Sequence, residues 1–289
     1  MTNDSYFQKV LVPVDGSRPS LAAGEVAADL AKKFDSKVTV IHVVPHEVRH
    51  PYALQGYKAS QIPEPVEKEL QGMFLQKGEQ AVGEAETLLK AENVPVDTIL
   101  EEFADPAETI LDVAQEKKSD LIIMGNRGSS EIEDSELGGV AQKVSRHAKC
   151  PVLVVKQRAR WTKILVAVDG SKDSKKALDC AVEISRKYGS EITILNVARM
   201  MIPQMGKDEA KMMAQRILSQ AEAQTNDVIV RKRIAFGHPA KEIAKITKED
   251  NFDLVALGSR GGSPAKRFVL GSVSENVARS VPCSVLIAR

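Results

Sequence analysis

The sequence predicts an α/β chain made of two tandem copies of one module, each a five-stranded parallel sheet with helices on both faces. Three observations predict it. The 289-residue length suits two domains of about 150 residues, each able to bury a core. Whole segments recur: residues 9–17 (KVLVPVDGS) return at 163–171 (KILVAVDGS), 120–128 (DLIIMGNRG) at 253–261 (DLVALGSRG), and 150–155 (CPVLVV) at 283–288 (CSVLIA). Within each copy, short β-branched runs alternate with longer amphipathic stretches, the pattern of βαβ units.

In copy two the strands are expected over 163–168, 190–197, 228–236, 253–258 and 283–288. Between the first two, Ala177, Leu178, Ala181, Val182 and Ser185 fall at helical spacing and offer one small-residue face to the sheet. Four helices join the five strands, because parallel neighbours need crossovers, and right-handed crossovers place helices on both faces. The repeat offset falls from 154 residues at the start to 133 at the end, so copy one holds extra residues in its middle. They are assigned to the segment from Pro45 to about Val66, which carries Pro51, Pro63, Pro65, Tyr52, Gly56 and Tyr57. A solvated insertion is expected there, since loops tolerate length at small entropic cost. Residues 156–161 (KQRARW) form a short polar connection, giving expected domains of 1–157 and 162–289.

Lys plus Arg number 40 against 39 for Asp plus Glu, so the chain has no global field to gather nucleic acid or dock on an acidic membrane. No apolar run approaches the roughly 20 residues a bilayer span needs, and the start, MTNDSYFQKV, lacks the order of a secretory signal. A cytoplasmic location is the expectation. Cys150, Cys180 and Cys283 are odd in number and widely spaced, which suits reduced packing residues rather than a disulfide framework or a zinc site.

In an open α/β sheet, ligands bind beyond the carboxyl ends of the strands. There copy two has Asp169-Gly-Ser171 after its first strand and Gly258-Ser-Arg-Gly261 after its fourth, with Gly271 and Ser272 opening the last helix. Glycines let backbone approach a ligand, and a helix start offers unpaired N–H groups and positive dipole to phosphate oxygens. The G-x2-G-x9-G-S spacing therefore points to a polyphosphate, with Asp169 suited to ribose hydroxyls or a bound cation such as Mg²⁺. Neither a G-x-x-x-x-G-K-[ST] loop nor a G-x-G-x-x-G fingerprint is present. An aspartyl-phosphate phosphatase would need its nucleophile where Pro13 and Ala167 stand. His42, His46, His50, His147 and His238 lack a Ser or Cys nucleophile at an equivalent place in both copies. A metal shared by His46 and His50 is disfavoured by the Pro51 that follows. No catalytic residue is assigned.

With these motifs in place, the chain resembles the universal stress protein family in its tandem form, over nearly all its length. That resemblance implies a Rossmann-like (adenine nucleotide alpha hydrolase-like) sheet of order 3-2-1-4-5 in each copy. It implies that the last strands pair across a dimer-like interface, here made internally, with a homodimer or an unidentified protein partner still open. It also implies ATP binding, response to stress, and slow hydrolysis at most. Carried over, the copy-two site uses Asp169 near ribose and Val197 against adenine. Leu257 and Val273 flank base and sugar, and Gly258, Arg260, Gly261, Gly271, Ser272 and Ser274 surround the phosphates. Copy one matches with Asp15, Val43, Met124, Gly125, Arg127, Gly128 and Gly138. There, however, Gly139 replaces Ser272, Ala141 replaces Ser274, and Ala104-Asp-Pro106 replaces Gly237-His-Pro239. The loss of two hydroxyl donors predicts that copy one is the weaker site.

Overall fold

The computed structural model describes residues 6–45, 64–128, 137–157, 161–198, 206–225, 228–261 and 270–289. In the first copy β1 (Lys9–Pro13), β2 (Lys37–Pro45), β3 (Val96–Ala104), β4 (Leu121–Gly125) and β5 (Val152–Val155) alternate with α1 (Arg18–Phe34), α2 (Glu64–Ala91), α3 (Pro106–Glu116) and α4 (Gly139–His147). The second copy repeats this with β6 (Lys163–Ala167), β7 (Glu191–Ala198), β8 (Val230–Phe236), β9 (Leu254–Gly258) and β10 (Ser284–Ala288). Its helices are α5 (Lys172–Tyr188), α6 (Lys207–Glu222), α7 (Pro239–Glu249) and α8 (Ser272–Ser280).

The V-D-G-S repeat explains how each first strand hands over to its helix. Gly16 and Gly170 take the left-handed conformation, at φ 75° and 82°, which a side chain resists. Asp15 and Asp169 each accept the N–H of the serine two residues on, at 3.0 Å. Those serines, Ser17 and Ser171, then cap α1 and α5 by accepting from the N–H groups of Ser20 and Ser174. One tetrapeptide thus ends a strand, turns the chain and starts a helix.

Both halves have the order 3-2-1-4-5. The end strands pair antiparallel, Leu153 opposite Leu286, so one ten-stranded sheet runs β3-β2-β1-β4-β5-β10-β9-β6-β7-β8. Helices α1, α2, α5 and α6 cover one face and α3, α4, α7 and α8 the other, and each of the two cores continues across the seam. Strands β4, β5, β9 and β10 are buried at every residue, and each Val, Leu or Ile side chain so buried contributes about 1.5–3 kcal/mol. The expected face of α5 (Ala177, Leu178, Ala181, Val182 and Ser185) is buried throughout.

Contacts across the seam mirror each other. Lys156, just past β5, donates to the Arg279 and Val281 carbonyls at the end of α8, and Arg289, just past β10, donates to the Ser145 carbonyl in α4. Cations thus meet the negative ends of the partner copy's helices. On the other face Lys33 lies over the Tyr188 ring at 5.7 Å and Lys187 over the Phe34 ring at 5.6 Å. The Tyr188 hydroxyl donates to Asp29.

The insertion differs from the sequence expectation at its end. Residues 46–63, with His46 and His50, lie outside the described residues, but Glu64, Pro65 and Val66 are the first turn of α2 rather than loop. Helix α2 is 28 residues long where α6 has 16, so part of the extra length lengthens a helix. The helical run continues because residues 66–77 contain no proline and are rich in Glu, Lys, Leu, Gln and Met. The three cysteines are free, Cys180 and Cys283 fully inside. Among the described residues no helix is long and apolar enough to cross a membrane.

Candidate functional site

The glycines of the two motifs have separate tasks. Gly258 ends β9 where α5 begins, and a Cβ there would lie 2.5 Å from the Ser174 backbone nitrogen; at Gly125 it would lie 2.7 Å from the Pro19 carbonyl carbon. These first glycines let a helix start pack on a strand end. The second pair brings the loop backbone onto the aspartate of strand one: a Cβ at Gly261 would lie 2.6 Å from Asp169 Oδ2, and at Gly128 2.7 Å from Asp15 Oδ2. The third pair caps helices. Gly271 and Gly138 are the N-cap residues of α8 and α4, neither with a side-chain cap, and their own N–H groups donate to the Ser259 and Asn126 carbonyls at 2.8 and 2.7 Å. Neither glycine N-cap offers a side-chain acceptor to the first turn of its helix, which starts beside the glycine turn, an arrangement suited to phosphate oxygens.

The serines that separate the copies are not equivalent. Ser272 is exposed at the first position of α8. Ser274 is buried, and its hydroxyl donates to the Gly258 carbonyl at 2.7 Å, so its one proton ties α8 to β9. Ala141, also buried, makes no such tie in copy one. In this conformation one of the two hydroxyls counted from the sequence is a strut, and Gly139 for Ser272 is the exchange that changes the open edge. Arg260 reaches back to α5: its Nε lies 3.1 Å from Asp173, which also accepts from Ser259. Sequence reading passed over Asp173, although its counterpart, Pro19, marks the copies as different at that point.

At the base end, Leu257 and Met124 are buried at the ends of β9 and β4, while Val197 and Val43 end β7 and β2. Asn196 Nδ2 donates to the Val168 carbonyl at 2.7 Å, and His42 Nδ1 stands in the same relation to the Val14 carbonyl at 2.8 Å, which places the His42 proton on Nδ1. Sequence reading assigned His42 no partner; the Val14 carbonyl, just past β1, supplies one.

All seven residues carried over to copy one (Asp15, Val43, Met124, Gly125, Arg127, Gly128 and Gly138) line one cavity of about 450 Å³. Further wall comes from α2, through Phe74, Lys77, Gln80 and Glu84, and from Ile41 and His42 of β2, among others. The size falls within the roughly 300–1,000 Å³ of small-molecule sites. A second cavity of about 450 Å³ lies between α5 and α6, lined by Gly170, Lys175, Leu178 and Ile217 among others, away from Gly258 and Gly271. Among the described residues no group of His, Cys, Asp and Glu suits a metal ion.

Fold and site together define a tandem Rossmann-like α/β protein, with a glycine turn and an uncapped helix start at the carboxyl edge of each half. The chain belongs to the universal stress protein family, which matches residues 6–156 and again 160–289. A universal stress protein of Methanocaldococcus jannaschii is 34% identical over 154 residues, 53% of this chain and 85% of the relative. One of Bacillus subtilis is 35% identical over 147 residues, 45% of this chain and 99% of the relative. Among solved structures, a universal stress protein from Archaeoglobus fulgidus superposes over 99% of this chain and 98% of its own, with a TM-score of 0.73 and 26% identity.

Proposed function

We propose that this protein binds ATP or another adenine nucleotide at the carboxyl edge of its sheet, mainly in copy two, and acts in the cytoplasm as a nucleotide-responsive stress protein rather than an enzyme. The observation that carries the reading is the position of Gly271, which starts α8 without a side-chain cap directly on the Ser259–Arg260 backbone of the glycine turn. Phosphates there would meet helix N–H groups and the Ser272 hydroxyl. Adenine would rest against Val197 and Leu257, and ribose beside Asp169. With one oxygen accepting from Ser171 and the other against Gly261, Asp169 is an anchored turn residue, which favours binding over turnover. Mg²⁺, if carried in, would arrive with the phosphates.

Isothermal titration of ATP with Mg²⁺ into wild type and Gly271→Asp tests this. An aspartate at the N-cap would hold the first-turn N–H groups itself and repel phosphate. Binding in wild type that the variant loses in copy two supports the reading. Absence of heat and of any thermal shift in wild type refutes it and leaves a scaffold. Hydrolysis that vanishes in Asp169→Ala, with binding kept, would make the protein a slow ATPase instead.

A further inference from the structure

We propose that copy one holds a second adenine-nucleotide site in which Lys77, on α2, takes over the phosphate-directed role that copy two gives to a hydroxyl. This rests on the nucleotide reading above. The helix start of copy one keeps its open glycine cap at Gly138, but Gly139 has no hydroxyl to offer. The cavity around it is nevertheless formed, and α2 brings to its wall a cation where α6 of copy two has Met213.

A Cβ on Gly16 would meet Ala81 of α2 and one on Gly170 would meet Ile217 of α6, both at 3.6 Å. That correspondence lays the buried Gly78, Val82 and Ala85 on the buried Ala214, Leu218 and Ala221, and it sets the exposed Met213 where copy one has Lys77. Lys77 is exposed and lines the cavity, its ammonium resting 5.8 Å from the Phe74 ring centroid, on another residue of the same wall. A flexible four-carbon stem lets such a group swing to a phosphate. Charge balance points the same way. The cavity wall carries two carboxylates, Asp15 and Glu84, and two cations, Arg127 and Lys77. Without Lys77 the wall would carry net negative charge and resist a polyanion. With it, Lys77 and the start of α4 offset the carboxylates, and the apolar flank of Ile41, Val43 and Met124 remains for a base.

A cation contributes differently from hydroxyls and backbone N–H groups: its attraction for an exposed anion falls with ionic strength. The test is titration of ATP into the Gly271→Asp chain, alone and combined with Lys77→Met or Lys77→Arg, at low and high salt, with matched thermal melts to confirm folding. The expected result is two nucleotides per wild-type chain and one per Gly271→Asp chain. The remaining site should weaken about tenfold or more with Lys77→Met at low salt, less at high salt, and little with Lys77→Arg. A remaining site that Lys77→Met leaves unchanged overturns the role of Lys77. One nucleotide per wild-type chain, lost with Gly271→Asp, overturns the second site while keeping copy two. No binding in wild type removes the nucleotide reading itself.

Discussion

Glu275 is the charged centre of the contact between the last helices of the two copies. Its carboxylate accepts from the Gln142 amide at 2.5 Å and from Arg146 at 3.0 and 3.1 Å, and lies 3.5 Å from Arg279, with only 22% of its side chain exposed. Glu275→Gln keeps the shape and removes the charge. The Arg146 contact, a third exposed, is worth about 1.5 kcal/mol and the longer Arg279 contact a few tenths, so a loss of about 2 kcal/mol is expected at pH 7. Desolvation is the largest single influence on this carboxyl and pushes it up, but Gln142, Arg146 and Arg279 together outweigh it and hold it below its ordinary 4.5. A carboxyl lowered on folding stabilises above its unfolded value and loses that contribution as pH falls through its folded one. In urea unfolding of both proteins, the gap should stay near 2 kcal/mol at pH 7 and shrink below about pH 4.5. No gap at pH 7, or one that persists unchanged to pH 3.5, would refute the assignment.

Gly258→Ala drives a Cβ to 2.5 Å from backbone of α5 and should cost about 3 kcal/mol, while Gly83→Ala, with open space around it in α2, should stabilise by up to about 1 kcal/mol; thermal melts check both. Burial pushes the Cys180 and Cys283 thiols up to about 12 and Cys150 to about 11, so a thiol reagent at pH 7 should react with the native protein far more slowly than with the unfolded chain. Three rapid native thiols would contradict the packing. Asn196→Ala removes a 2.7 Å bond to the Val168 carbonyl at a buried site and should cost about 1–2 kcal/mol in denaturant unfolding.

Much of the fold was legible because it is written in local periodicity. The five strands of copy two lie within two residues of their expected bounds, and the small-residue face of α5 is buried as its spacing requires. Which glycines serve the backbone was legible at the turn and helix start that the sequence marked: Gly258 packs on α5, Gly261 lies against Asp169 and Gly271 is the N-cap of α8. Side-chain direction was not. Ser274 reads as a hydroxyl for a ligand until the Gly258 carbonyl is found 2.7 Å away, and Arg260 reads as a free cation site until Asp173 is found beside it.

The sequence by itself determined the repeat, the alternation of strand and helix, and the places where backbone must turn or come close, because each depends on neighbours a few residues apart. Only the tertiary structure decided that the extra residues of copy one continue into a long helix walling a cavity with Phe74 and Lys77. It alone decided that Lys156 and Arg289 each cross the seam to the other copy's last helix, and that Glu275 gathers Gln142 and Arg146. Those contacts join residues more than a hundred positions apart, and the free energy that selects them comes from burial and charge pairing that exist only once the two sheets have joined.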